Sequence, residues 1–82
     1  MTKSIVILKI FTAKRMLESI CQDNNISYKF CHAVIEGKKT PSWDLMNKFR
    51  FLMPTDYWFD KATNEFLHKI CENMDVCQAN LL

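Results

Sequence analysis

Eighty-two residues, 49% of them hydrophobic, are enough for one core and one domain, and too few for a catalytic domain with a separate substrate domain. A single Gly and two Pro leave little material for hairpins, while Lys, Leu, Met, Glu and Ala are plentiful, so the expected class is all-α. The net charge of +2 hides an asymmetry: residues 1–55 carry nine Lys or Arg against four Asp or Glu, and residues 56–82 carry two against five. That split suits one face for a polyanion and a second region for something else.

From the N-terminus, Ile5-Val6-Ile7-Leu8 is β-branched enough for a short strand, but Ser4 offers a cap for a short helix whose apolar side chains fill the core, and helix is the expectation. Thr12 reads as the N-cap of a helix from Ala13 to Asp23, with Met16, Leu17, Ile20 and Cys21 on the inner face and Lys14, Arg15, Glu18 and Gln22 outside. Asn24-Asn25 stops it, because Asn tolerates the left-handed backbone region, and Ile26 then anchors the turn. Ser27 caps a second helix from Tyr28 to Glu36, with Cys31 and Val34 inward and Phe30 or Ile35 at the margin, and Gly37 terminates it.

Lys38-Lys39-Thr40-Pro41 forms a basic loop, after which Ser42 caps a helix running through Leu45, Met46, Phe49 and Leu52 until Pro54 interrupts. Thr55 or Asp56 caps a further short helix with Tyr57, Trp58 and Phe59. From Thr63 to Leu82, Leu67, Ile70, Met74, Cys77 and Leu81 follow at steps of three and four, a heptad-like stripe. Residues 1–62 are therefore expected to form the main domain, and residues 63–82 a C-terminal helix whose stripe serves a dimer.

Cys21, Cys31, Cys71 and Cys77 match no disulfide framework or paired-ligand spacing, and buried thiols in a reducing cytosol are the simplest account. His68 with Cys71 and Cys77, or Cys31 beside His32, lacks the spacing of a structural zinc site, so no metal or cofactor is expected. No glycine-rich phosphate loop, paired-acid motif or oxyanion loop accompanies a nucleophile, so the chain reads as a non-enzyme. Trp43, Tyr57, Trp58 and Phe59 sit at helical spacing that fits core packing better than a stacking platform for single strands. No apolar run reaches membrane-spanning length and no cleavage pattern follows Met1, so a soluble, unprocessed cytoplasmic protein is expected.

Helix, three-residue turn and short helix over residues 17–36 is the pattern that braces one helix across a phosphate backbone and lays the next in the major groove. Cys21 is small where the helices touch, Asn25 can turn left, and Ile26, Cys31 and Val34 are apolar anchors. With Gly37-Lys38-Lys39-Thr40-Pro41-Ser42-Trp43-Asp44-Leu45-Met46-Asn47-Lys48-Phe49 and Met53-Pro54-Thr55-Asp56-Tyr57-Trp58-Phe59, the chain resembles the phage repressor and Cro (XRE-like) helix-turn-helix family over roughly residues 12–60. Leu17, Asn24 and Asn25 stand where that family has Gln, an apolar residue and Gly.

The resemblance implies a five-helix, lambda-repressor-like domain and a homodimeric transcriptional regulator of the kind common in phages and mobile elements. It implies base contacts from Ser27, Tyr28, Lys29, His32 and Ala33, where Lys29 donates to guanine and Tyr28 or Ala33 meets a thymine methyl. It also implies phosphate contacts from Lys38, Lys39, Ser42 and the amides of the helix that follows. The dimer stripe is Leu67, Ile70, Met74, Cys77 and Leu81. From another class comes a protein-interaction module, an antitoxin or phage-encoded host-factor binder using the acidic tail on a toxin or host protein.

Overall fold

In the computed structural model, which describes residues 1–74, the β-branched N-terminal run is helical: α1 spans Lys3–Ala13. Ser4, Val6, Ile7, Leu8, Ile10 and Phe11 are all buried, so this helix is wrapped on most of its circumference, and its apolarity reflects a central position rather than a strand. Ser4 lies inside the helix and is fully buried. The N-cap is Thr2, whose hydroxyl lies 3.1 Å from that of Ser4. The chain start is clipped to a later segment by Lys3 N–H donating to Asp60 O (2.9 Å) and Ala62 N–H donating to Met1 O (2.9 Å).

The expected cap at Thr12 is not one. Thr12 sits in the last turn of α1, where its hydroxyl donates back to Leu8 O at 2.9 Å, and α2 begins only at Leu17 and runs to Asp23 (Leu17–Asp23). Between them Arg15 adopts φ +60°. Arg15 N–H donates to Thr12 O and Met16 N–H to Phe11 O, the paired bonds of a Schellman ending. Met16, expected on the inner face, is exposed, because that ending carries it out of both helices.

The same device recurs twice. After α2, Asn25 (φ +56°) donates to Gln22 O and Ile26 to Cys21 O. After α3 (Tyr28–Ile35), Gly37 (φ +79°) donates to Val34 O and Lys38 to Ala33 O. Each ending satisfies carbonyls that the helix leaves unpaired and turns the chain sharply enough to pack the next element against the last.

α4 is short, Trp43–Lys48, and ends six residues before Pro54 rather than continuing through Leu52. Phe49 leaves the helical conformation as its C-cap, and Phe49 and Met53 turn inward to exposures of 0% and 2%. Pro54 precedes a 3₁₀ turn, Thr55–Trp58, in which neither Thr55 nor Asp56 acts as the cap. α5, Asn64–Met74, is opened by Thr63, whose hydroxyl accepts the Phe66 N–H at 3.1 Å.

α1 touches α2, α3, the 3₁₀ turn and α5, and α2 packs on α3. One core cluster joins Leu8, Phe11, Leu17, Cys21, Ile26, Cys31, Val34, Leu45, Phe49, Met53 and Trp58. On the other side of α1, Val6 and Ile10 receive Phe66, Leu67 and Ile70 of α5. The fold is all-α, with no strand among the described residues beyond an isolated bridge between Thr2 and Lys61. No helix among the described residues is long and apolar enough to cross a membrane.

Candidate nucleic-acid interface

The site is built on α3, and both of its ends are held by local chemistry. At the start the Ser27 hydroxyl accepts the Phe30 N–H at 3.2 Å; at the finish Gly37 supplies the left-handed residue. Cys31 and Val34 point into the core at 0% and 4% exposure, and Phe30 and Ile35 pack at its margin. This inner face fixes the helix rotation, leaving Tyr28, Lys29, His32 and Ala33 along the outer side.

That outer side is continuous. One surface hollow is lined by Tyr28, Lys29, His32, Ala33, Glu36 and Lys38. A second shares Lys29 and Ala33 and adds Ser27, Phe30 and Lys39. A third shares Ser27 and Phe30 and reaches Ser42, Asp44 and Lys48. Every sequence-predicted base and phosphate residue therefore lies on one surface running from α3 through the basic loop to the start of α4.

The roles within it are uneven. Ser27 and Ser42 each accept a backbone N–H, the latter from Leu45 at 3.1 Å, which leaves each hydroxyl hydrogen to donate outward. His32 Nδ1 lies 3.0 Å from Glu36 Oε1, and the same carboxylate oxygen lies 3.7 Å from Lys38 Nζ. The Tyr28 and His32 rings meet at 5.8 Å between centroids with planes 50° apart. Lys29 has no carboxylate within ion-pairing distance among the described residues, and Lys39 likewise.

Two contributors were not among the predicted residues. Lys48 Nζ donates to Asn25 O at 2.9 Å and pairs with Asp44 at 3.2 Å, tying α4 to the turn before α3. The i,i+4 pair with Asp44 is visible in the sequence, but the bond to Asn25 spans 23 residues and has no local signal. Arg15 shares a hollow with Thr12, Leu17, Glu18 and Tyr28, which places a cation beside the N-terminal end of α3. Its sequence signal was only that of an outward-facing charge.

Behind this surface, the thiols of Cys21 on α2 and Cys31 on α3 are neighbours in the core and fully buried. Burial, followed by the neighbouring Cys21, pushes the Cys31 thiol up to about 12, and burial also raises Cys21. Neither is disposed to act as a thiolate nucleophile or ligand. No group of three or more His, Cys, Asp or Glu converges among the described residues. His68, one of the imagined zinc ligands, instead pairs with Glu72 at 3.1 Å, and Cys77 lies outside the described residues.

Two aromatic expectations are corrected. Trp43 and Phe59, expected to pack in the core, are 62% and 68% exposed, whereas Trp58 is buried and Tyr57 half-buried. Trp43 opens α4, and Phe59 follows the 3₁₀ turn as its C-cap, positions that face solvent once Leu45, Met46 and Trp58 have turned inward. Of the expected dimer stripe, Leu67 and Ile70 are half-buried against α1 of the same chain; the Met74 side chain, Cys77 and Leu81 lie outside the described residues.

Compared with known protein families, curated proteins and solved structures, the chain matches no family model, no curated protein and no solved structure.

Proposed function

We propose that this protein is a sequence-specific, double-stranded-DNA-binding transcriptional regulator, a cytoplasmic non-enzyme of the repressor or Cro kind, built as a lambda-repressor-like domain. It reads the major groove with α3 and acts as a homodimer. The observation that carries this reading is the continuous surface on which Ser27, Tyr28, Lys29, His32, Ala33, Lys38, Lys39 and Ser42 meet, flanked by Arg15 and Lys48. A helix held by its core face and presenting short and long donors outward is what base reading requires. The adjoining loop amines and capped serines suit phosphate.

Dimerisation supplies the rest of the physical case, since a single small module buries little surface on DNA and two half-sites multiply affinity and specificity. The test is selection from random duplex DNA at two salt concentrations, with sedimentation equilibrium of the full chain. An enriched inverted repeat with half-sites about one helical turn apart, bound by a dimer, supports the reading. Binding that falls with salt while enriching no sequence sinks it.

One observation favours a second reading, capture of a protein such as a toxin or host factor: Trp43, Phe51 and Phe59 are all more than half exposed. Large exposed aromatics are enriched where proteins meet. Replacing all three with Ser without effect on a purified partner complex argues against it.

A further inference from the structure

Within the DNA-binding reading, on which this inference rests, the recognition surface carries one geometry that fixes hydrogen-bond polarity. His32 and Glu36 are one helical turn apart, and side chains on a helix lean toward its N-terminus, so Glu36 reaches back over His32. The contact is made to Nδ1, at 3.0 Å. An ionised carboxylate only accepts hydrogen bonds, so the hydrogen must sit on Nδ1. In the neutral ring that leaves Nε2, on the far side from Glu36, as a bare acceptor.

The ring is also braced from the other direction. Tyr28, one turn earlier, lies 5.8 Å away across a tilted ring contact, so the imidazole stands between Tyr28 and Glu36. Lys38 joins Glu36 at 3.7 Å from the side of the basic loop. An exposed pair of this kind contributes little to stability. Its consequence is directional: it selects one tautomer of a group that otherwise offers either polarity.

We propose that Glu36 is a positioning residue that presents His32 Nε2 as an acceptor, making His32 specific for an exocyclic amino group in the major groove: cytosine N4 or adenine N6. Those are the only major-groove donors, whereas guanine and thymine offer acceptors at their edges. Lys29 precedes His32 by three residues, about 4.5 Å along the helix axis, and is a donor only, so it seeks guanine on a neighbouring base pair. The half-site thus contains a guanine next to a base pair whose orientation places its one amino group, adenine N6 or cytosine N4, under His32 Nε2.

Two measurements on the full-length protein test this. The first needs no DNA: ring-nitrogen NMR on neutral His32. The expected result is hydrogen on Nδ1 in the wild type and a mixture of tautomers in Glu36→Gln, because the Gln amide both donates and accepts. Hydrogen on Nε2 in the wild type, or no change in the variant, overturns the proposal. The second is duplex selection with the wild type, Glu36→Gln and His32→Ala.

The wild type is expected to prefer one base pair at one half-site position by roughly fivefold or more. Because every base pair carries one such amino group, the enriched duplex is then remade with purine in place of that adenine or 2-pyrimidinone in place of that cytosine, and the wild type, unlike His32→Ala, should lose affinity for it. Glu36→Gln should level that position and leave the guanine position intact; His32→Ala should flatten it. A merely structural Glu36 shifts affinity for all sequences alike, and that outcome, or wild-type binding no more sensitive than that of His32→Ala to loss of the amino group, overturns the proposal. If the wild type enriches nothing, the regulator reading fails and the inference falls with it.

Discussion

Replacing Arg15 with Gly is expected to stabilise the protein. Arg15 holds φ +60° at the end of α1, where a residue with a Cβ is strained by roughly 1–2 kcal/mol. Gly removes that strain but adds roughly 0.5–1 kcal/mol of unfolded-state entropy, so the net gain is about 0.5–1 kcal/mol. For a domain of this size that is a rise of about 2–8 °C in Tm. Asn25, at φ +56°, is already tolerant of this region, so Asn25→Gly gains less.

Gly37→Ala runs the comparison backward. A Cβ at Gly37, at φ +79°, meets nothing within 4 Å, so its cost is the backbone strain less the unfolded-state entropy that Ala saves, a net loss of about 0.5–1 kcal/mol. Arg15→Ala is the control, removing an exposed side chain while keeping the strain, with a change within about 0.5 kcal/mol. Thermal and urea unfolding rank the variants. An Arg15→Gly protein no more stable than Arg15→Ala, or an Asn25→Gly gain larger than that of Arg15→Gly, would refute the strain argument.

Ser27→Ala and Ser42→Ala should each cost about 1 kcal/mol in urea unfolding, because each removes the acceptor of a helix-opening N–H. Stability should fall as pH rises from 9.0 toward 12: the folded state holds the Cys31 proton above the ordinary thiol value of 9.0, the unfolded chain releases it there, and unfolding is therefore favoured by alkali. A denaturation midpoint that stays level across that window counts against the buried thiol pair. Lys38→Ala with Lys39→Ala should weaken DNA binding for all sequences alike and reduce the salt slope by about 2, read by titration at several salt concentrations; a change in base preference would assign those lysines to bases instead.

What was legible in the sequence was what local chemistry decides. Ser27 and Ser42 each stand three residues before the N–H they accept, and Gly37 stands just past the helix it ends; such devices operate within one turn and need no partner from elsewhere. The outer face of α3 followed from them, because Cys31 and Val34 fix the helix rotation by apolar periodicity.

The tertiary structure alone decided the rest. Thr12 has the chemistry of a cap, but packing of α1 against four other elements carried the helix past it and placed the left-handed turn on Arg15, a residue with no preference for it. Trp43 and Phe59 have core composition, yet burial goes to the faces that turn into the shared core, and these two stay outside it. The bond from Lys48 to Asn25 crosses 23 residues and exists only once α4 has docked beside the turn. Caps and periodicity are written within a few residues of chain, whereas which faces meet is a property of the whole packed core, and no short window of sequence contains it.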